Sequence, residues 1–423
     1  MKNIKKSTLT FFGTFLAIYI VVQLLLSLGL LNNFWRGILF WGAAISMVAL
    51  GLNLIYGFNG QFSLGQYGFY AIGAYGAADI TWRWLNNDPS GIVVGFFGSL
   101  VVLGLYALVG MALRRFYNIN VTTRFISYLL ATGLGYWIAV VVLRPLLEPV
   151  FNGLLNALPG AVTQQIVFFF ALASGALLAG IASFLFGIPV LSLGSDYFGI
   201  ATLGFTIIVK VLLDNTDTIL PFVEMKGARG MVGIPQWTNW TWVFLCFMLV
   251  VIVMRNLLHS STGRAILSVR EDERAAQLVG IDVTQAKLLP FVVGSIFAGL
   301  AGGIRAHDLA FLHPQSFNFI QSFNPLIIVV FGGLGSMTGT MITGFLWILL
   351  LEGALRLLLP QGFETWRFVV YPLVLLIMME LRPEGLFGKY ELPFLERPLA
   401  KLRTKTAFSQ VDGQAVITEE VAQ

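Results

Sequence analysis

Apolar runs about twenty residues long most constrain what this chain can become. The stretches 9–31 and 91–113 contain no charged side chain, and 240–258 contains only Arg255. At about 1.5 Å per helical residue, each reaches across the roughly 30 Å hydrocarbon core of a bilayer. Lipid offers the backbone no hydrogen-bond partner, so runs of this kind fold as helices. Further runs follow at 37–57, 64–81, 125–143, 166–188, 196–213, 287–305, 322–335, 337–358 and 366–382. The expected fold is an all-α polytopic integral membrane protein with roughly ten to twelve transmembrane or half-membrane helices. Segments 196–213 and 322–335 are short or glycine-interrupted and are read as half-helices. Only 11% of the residues are charged, against about 25% in a soluble domain. The 45 glycines fit helices that pack closely or break within lipid.

Lys2, Lys5 and Lys6 precede the first run, which is longer than a signal-peptide core and reads as an uncleaved span. If every segment crosses, most lysines and arginines collect on the side that holds both termini and the charged stretch 259–287, which makes that side cytoplasmic. The body is then expected over 1–388, followed by a partly disordered cytoplasmic tail over 389–423.

Two polar interruptions stand out in the apolar sequence. Residues 57–65, GFNGQFSLG, place Asn59, Gln61, Ser63 and Gly65 ahead of Gln66, and residues 332–336 read Gly332, Gly333, Leu334, Gly335, Ser336. Irregular backbone at membrane depth is tolerated where it is buried in protein or lines a wet cavity. Both breaks are therefore candidate parts of a pathway, with a plain turn between helices as the alternative. Segment 194–204 adds Tyr197 and Thr202, and Thr206 follows, as hydroxyls that a half-helix could turn inward. Lys210 with Asp214, Asp79 with Arg83, and Glu352 with Arg356 are spaced four apart, as structural ion pairs on one helix face would be.

The stretch 260–290 carries Arg264, Arg270, Glu271, Asp272, Glu273, Arg274, Asp282 and Lys287, so it lies in water between two spans. Within it, Glu271 to Val279 reads as a short helix of roughly 13 Å. Acids stand in its first turn and Gly280 ends it. Ala275, Leu278 and Val279 give it a small apolar face suited to a groove on another protein.

This stretch resembles the coupling loop of ABC importer permeases, a Glu-Ala-Ala followed after three residues by Gly, through Ala275, Ala276 and Gly280. Arg274 stands in place of the Glu, and Leu289-Pro290 arrives early. Both departures are similar to the branched-chain amino acid permeases of LivM type. So are GFNGQFSLG with the aromatic and glycine-rich run after it, GSDYFGIATLG at 194–204, the glycine-rich segment from Lys226 to GIPQW, SIFAGLAGGI, the break at 332–336, and RPEGLFG at 382–388. Gln66 replaces the His that this family often has. The resemblance implies a permease subunit of a transporter in the plasma membrane (the inner membrane of a two-membrane cell). It implies a second, similar permease, two cytoplasmic ATPase subunits that hold ATP and Mg, and an external solute-binding protein. Glu271, Asp272, Arg274, Ala275, Ala276, Leu278 and Gly280 would then couple this chain to the ATPase. Leucine, isoleucine and valine are the implied solutes, with urea and short amides as alternatives; an ion-coupled transporter using Lys210, Asp214 or Glu352 is the alternative of another class.

The chain has no Walker A, HExxH or GxSxG pattern, so no catalytic group and no cofactor or metal of its own is expected. Cys246, the single cysteine, excludes an internal disulfide and reads as packing. His307 and Asp308 are read as loop residues. Basic residues spread over many loops give no nucleic-acid signature, and lipid is the expected surroundings.

Overall fold

The computed structural model describes residues 2–115, 120–193, 195–218 and 223–354, and scattered positions from 373 to 416. The protein is an all-α polytopic membrane protein. Helices α1 (Lys2–Ser27), α2 (Asn33–Leu52) and α3 (Gln66–Leu85) come first, and a single turn, α4 (Ser90–Ile92), runs through a π-helical stretch into α5 (Gly98–Arg114). Helices α6 (Val121–Ile138) and α7 (Arg144–Asn156) join through another π-helical stretch into one run; α8 (Gly160–Val190) and α9 (Ser195–Asp214) follow. Strand β1 (Met231–Val232) precedes α10 (Trp240–His259), α11 (Ser261–Glu271), α12 (Glu273–Leu278) and α13 (Val283–Leu309). Strand β2 (Phe311–Leu312), which pairs antiparallel with β1, leads to α14 (Phe323–Gly332) and α15 (Met337–Ile348). A small hairpin of β3 (Ser409–Val411) and β4 (Gln414–Val416) lies in the tail.

Among the described residues, seven helical runs are long and apolar enough to cross a bilayer. They differ in what surrounds them. In the run Asn33–Phe58, 89% of the central window is buried, against 17% in Val121–Gly153. The first is core; the second lies on the outside of the helix bundle. The central helices α3, α8 and α13 meet backbone to backbone. A Cβ on Gly73 would lie 2.1 Å from the Gly299 carbonyl oxygen, and one on Gly175 would lie 2.5 Å from that of Gly73. In lipid this close approach supplies the packing that a hydrophobic effect between helices cannot.

The segment 196–213 is a twenty-residue helix, α9, of full spanning length, not the half-helix expected. Its apolar run tolerates Lys210 because Lys210 Nζ lies 2.6 Å from Asp214. The segment 322–335 does contain a short helix, the ten-residue α14. The loop reading of His307 and Asp308 fails. Asp282 caps the start of α13 by accepting the Gln285 N–H, and the helix runs through both residues to Leu309, where Ala310 at φ +60° ends it. His307 is fully buried; its Nδ1 donates to the Gly303 carbonyl at 2.7 Å and its Nε2 faces the Thr81 hydroxyl at 2.8 Å, tying α13 to α3. Arg83 holds Asp79 at 3.0 Å and also reaches Asp88 and Glu224. Cys246 is buried in α10. Arg356, and with it the expected pair to Glu352, lies outside the described residues, as does most of the expected span 366–382.

Residues beyond 388 touch the helical body. Glu391 accepts the backbone N–H groups of Met337 and Thr338 at 2.5 and 3.1 Å, and so caps α15, while Leu395 is 2% exposed. Of the tail expected over 389–423, Glu391 thus bonds the start of α15 and Leu395 packs in the core, while Tyr390 is exposed.

Candidate coupling and translocation site

The two interruptions meet. Helix α2 widens into a π-helical turn, Asn53–Phe58, and the chain then runs irregularly from Gly60, at φ +79°, to Gly65 before α3 begins. Backbone outside regular structure must find its hydrogen-bond partners elsewhere. Helix α9 supplies them: Thr202 Oγ1 accepts the Leu64 N–H at 3.0 Å, and the Thr206 hydroxyl donates to the Leu64 carbonyl at 3.2 Å. The second interruption separates α14 from α15. Gly333 and Gly335 take φ of +110° and +83°, which side chains other than glycine avoid, and Ser336 caps α15 by accepting the Gly339 N–H at 2.9 Å.

Asn53 locks one break to the other. It is fully buried. Its Nδ2 donates to the Ser336 carbonyl and to Thr340 Oγ1, both at 2.8 Å, and its Oδ1 accepts the Gly335 N–H at 2.9 Å. Arg270, near the end of α11, reaches the same junction and donates to the Gly57 carbonyl. A Cβ on Gly335 would lie 3.1 Å from its Nη1, and one on Gly60 would lie 3.3 Å from its Cγ. The charged stretch thus touches both breaks through one side chain.

The helix expected over Glu271 to Val279 is divided. Asp272 is extended, at φ −157° and ψ 113°; it closes α11 and accepts the N–H groups of Arg274 and Ala275 to open α12. A short carboxylate competes well for exactly those orphan donors, so it caps where helix continuation was expected. Six residues remain in α12, about 9 Å, and Glu271 belongs to the helix before. Residues 261–271 are helical rather than loop. Gly280 does end the helix, at φ +83°, donating to the Gln277 carbonyl at 3.0 Å.

Helices α11, α12 and the start of α13 form one unit. Val269, Ala276, Val283 and Ala286 pack into a small core, and Lys287 lies 2.7 Å from Glu273. Ala276 therefore faces inward. Glu271, Asp272, Arg274, Ala275 and Gly280 are exposed, and Leu278 and Val279 are 89% and 76% exposed. Two bare aliphatic side chains on a polar helix form the kind of face a partner groove covers.

Of the pathway candidates, Asn59, Gln61, Ser63, Gly65, Gln66 and Thr202 line or touch the first break, and all but Gly65 and Thr202 bring side-chain polar groups there without help from α9. Asn59 Nδ2 donates to Gln61 Oε1 at 2.9 Å. Both amide atoms of Gln66 and the Oδ1 of Asn59 are buried without a protein hydrogen bond among the described residues. Gly332, Gly333, Gly335 and Ser336 form the second break. Tyr197 goes elsewhere: it is 68% exposed, on the face of α9 opposite the buried Thr202 and Thr206. Five residues separate Tyr197 from Thr202, which in a full helix turns the two well over a quarter-circle apart. Sequence reasoning missed Asn53, although an amide inside an apolar run is itself a signal, and it saw in Arg270 only a charge.

Spanning helices around two facing breaks, with a charged helical unit against the junction, define a multi-pass membrane protein. The profile of the family described as the branched-chain amino acid transport system permease component matches residues 35–379. The chain belongs to that family. It is 28% identical over 395 residues to the high-affinity branched-chain amino acid transport system permease protein LivM of Salmonella typhimurium, covering 85% of this chain and 70% of the relative. It is 24% identical over 356 residues to LivH of the same organism, covering 83% and 93%. A probable LivM of Methanocaldococcus jannaschii is 23% identical over 377 residues, covering 86% and 95%. No solved structure matches the chain significantly.

Proposed function

We propose that this chain is a membrane-spanning permease subunit of an ATP-driven importer for branched-chain amino acids. One observation carries the mechanism: Arg270, on the charged helical unit, bonds the first break while Asn53 bonds that break to the second. A displacement of α11 and α12 then reaches both breaks together, as coupling between two states of a pathway requires. In this reading the exposed Ala275, Leu278 and Val279 seat in a groove of a cytoplasmic ATPase subunit, one of two that bind ATP and Mg. A second, similar permease completes the membrane core, and an external solute-binding protein delivers the solute. Both termini and the α11–α12 unit face the cytoplasm, and the protein resides in the plasma membrane, or the inner membrane of a two-membrane cell. This chain holds no catalytic role; hydrolysis belongs to the ATPase.

The solute passes between the breaks, where Asn59, Gln61, Ser63 and Gln66 offer polar groups. The pairing of Lys210 with Asp214 speaks against an ion-coupled carrier, which needs a buried charge ready to exchange its ion. The test is leucine uptake into proteoliposomes that hold the chain with its co-purified subunits, with and without internal ATP. ATP-dependent accumulation that isoleucine competes away supports the reading. ATP-driven uptake of urea without leucine moves the solute to amides, and uptake on a proton gradient alone overturns the reading.

A further inference from the structure

A cavity of about 540 Å³ opens at the end of the molecule opposite α11 and α12. Its walls are the same helices whose far ends form the breaks. Trp41 and Ile45 come from α2, Asn324 and Ile327 from α14, and Trp347 from α15. Ile45 lies eight residues before Asn53, about 12 Å along α2. The volume is within the range of small-molecule sites.

The lining has a definite chemistry. Arg305 is the only lysine, arginine, aspartate or glutamate among the lining residues. Its Nη1 is held by Asp308, and its guanidinium lies 4.8 Å over the Trp41 ring. A guanidinium carries five N–H donors, so fixing it at one nitrogen and one face leaves an oriented fork for a second carboxylate. Tyr67, Tyr70 and Phe317 put aromatic rings on the same lining, and the face of such a ring attracts an ammonium group. Ile45 and Ile327 supply an aliphatic wall.

We propose that this cavity receives a zwitterionic aliphatic α-amino acid, its carboxylate on Arg305, its ammonium against the tyrosine and phenylalanine rings, and its side chain on the aliphatic wall. The proposal rests on the reading of the chain as an amino acid permease. A neutral amide such as urea has no group that needs Arg305, so the cavity separates the two solute classes.

The test uses the assembled transporter in proteoliposomes. A Gln321→Cys variant places a thiol on the cavity lining, and the native Cys246 is buried away from reagent. L-leucine is expected to slow alkylation of Cys at 321 severalfold. Leucinamide, which lacks the carboxylate, and 4-methylpentanoate, which lacks the ammonium, are expected to protect poorly. Arg305→Gln should raise the leucine concentration needed for protection about tenfold or more, as loss of a charge-assisted pair does, and Arg305→Lys should recover part of it. Arg305→Gln strands Asp308, so the double variant Arg305→Gln/Asp308→Asn serves as the folded control and should show the same loss. Unprotected alkylation beside normal leucine uptake overturns the cavity and leaves the permease reading standing. Equal protection by leucine and leucinamide also overturns it. Absence of leucine uptake in the unmodified transporter overturns the amino acid reading itself.

Discussion

Replacing Asn53 by leucine keeps the branched outline in a bulkier side chain and removes the three hydrogen bonds by which Asn53 joins the breaks. Three hydrogen bonds go: two from Nδ2, at 2.8 Å each, and one to Oδ1, at 2.9 Å. Their partners fare differently. The Ser336 carbonyl keeps the Thr340 hydroxyl as a donor at 2.8 Å, so it stays satisfied. The Gly335 N–H has no other partner among the described residues and is stranded, which costs about 1–3 kcal/mol. Loss of the other two bonds adds roughly 0.6 kcal/mol each at the average measured between membrane helices. The expected destabilisation is about 2–4 kcal/mol, measured by unfolding the purified protein in mixed micelles with increasing SDS. Thr340→Val removes only one of the three bonds, strands no backbone group, and should cost about 1 kcal/mol or less. A loss for Asn53→Leu no larger than that for Thr340→Val would refute the claim that this side chain locks the breaks.

Gly73→Ala places a Cβ 2.1 Å from the Gly299 carbonyl oxygen and should cost about 1–3 kcal/mol through forced separation of α3 and α13, while Gly104→Ala, with nothing within 4 Å, should be neutral in the same unfolding assay. Truncation after 388 removes the Glu391 cap from α15 and should lower stability by about 0.5–2 kcal/mol, whereas truncation after 396 should not. Ala275→Asp adds charge to an exposed face, and Gly280→Pro forbids the φ of +83° and removes the bond to Gln277. Both should leave the protein in the membrane and separate ATP hydrolysis from uptake, read as the ratio of solute moved to phosphate released.

The fold class was legible because lipid makes backbone satisfaction a local matter: apolar length alone dictates helices at 91–113 or 240–258. The breaks were legible for the same reason, since glycine and amide residues at 57–65 and 332–336 cannot continue a helix in hydrocarbon at low cost. Their meeting was not. Asn53 and Gly335 lie 282 residues apart in sequence, and only tertiary packing brings the amide to the glycine N–H. The face that Tyr197 occupies depended on α9 being a full helix, which the glycines at 199 and 204 obscured. His307 was misplaced because α13 runs past its apolar stretch to Ala310, whose φ of +60° ends it. Asp272 was read for its charge when its geometry, as a cap, decided the structure.

The account stands on Arg270 as the link between the α11–α12 unit and the breaks. Uptake of leucine and hydrolysis of ATP measured together in proteoliposomes, for the native transporter and for Arg270→Ala, test it most directly. Alanine keeps α11 helical and removes the bond to Gly57 together with the side chain's contacts beside Gly60 and Gly335. A charge-assisted bond of about 1.5–3 kcal/mol corresponds to a shift of roughly tenfold or more between states. The account predicts that hydrolysis continues while leucine uptake per ATP falls about tenfold. An unchanged ratio in a correctly inserted variant would contradict it.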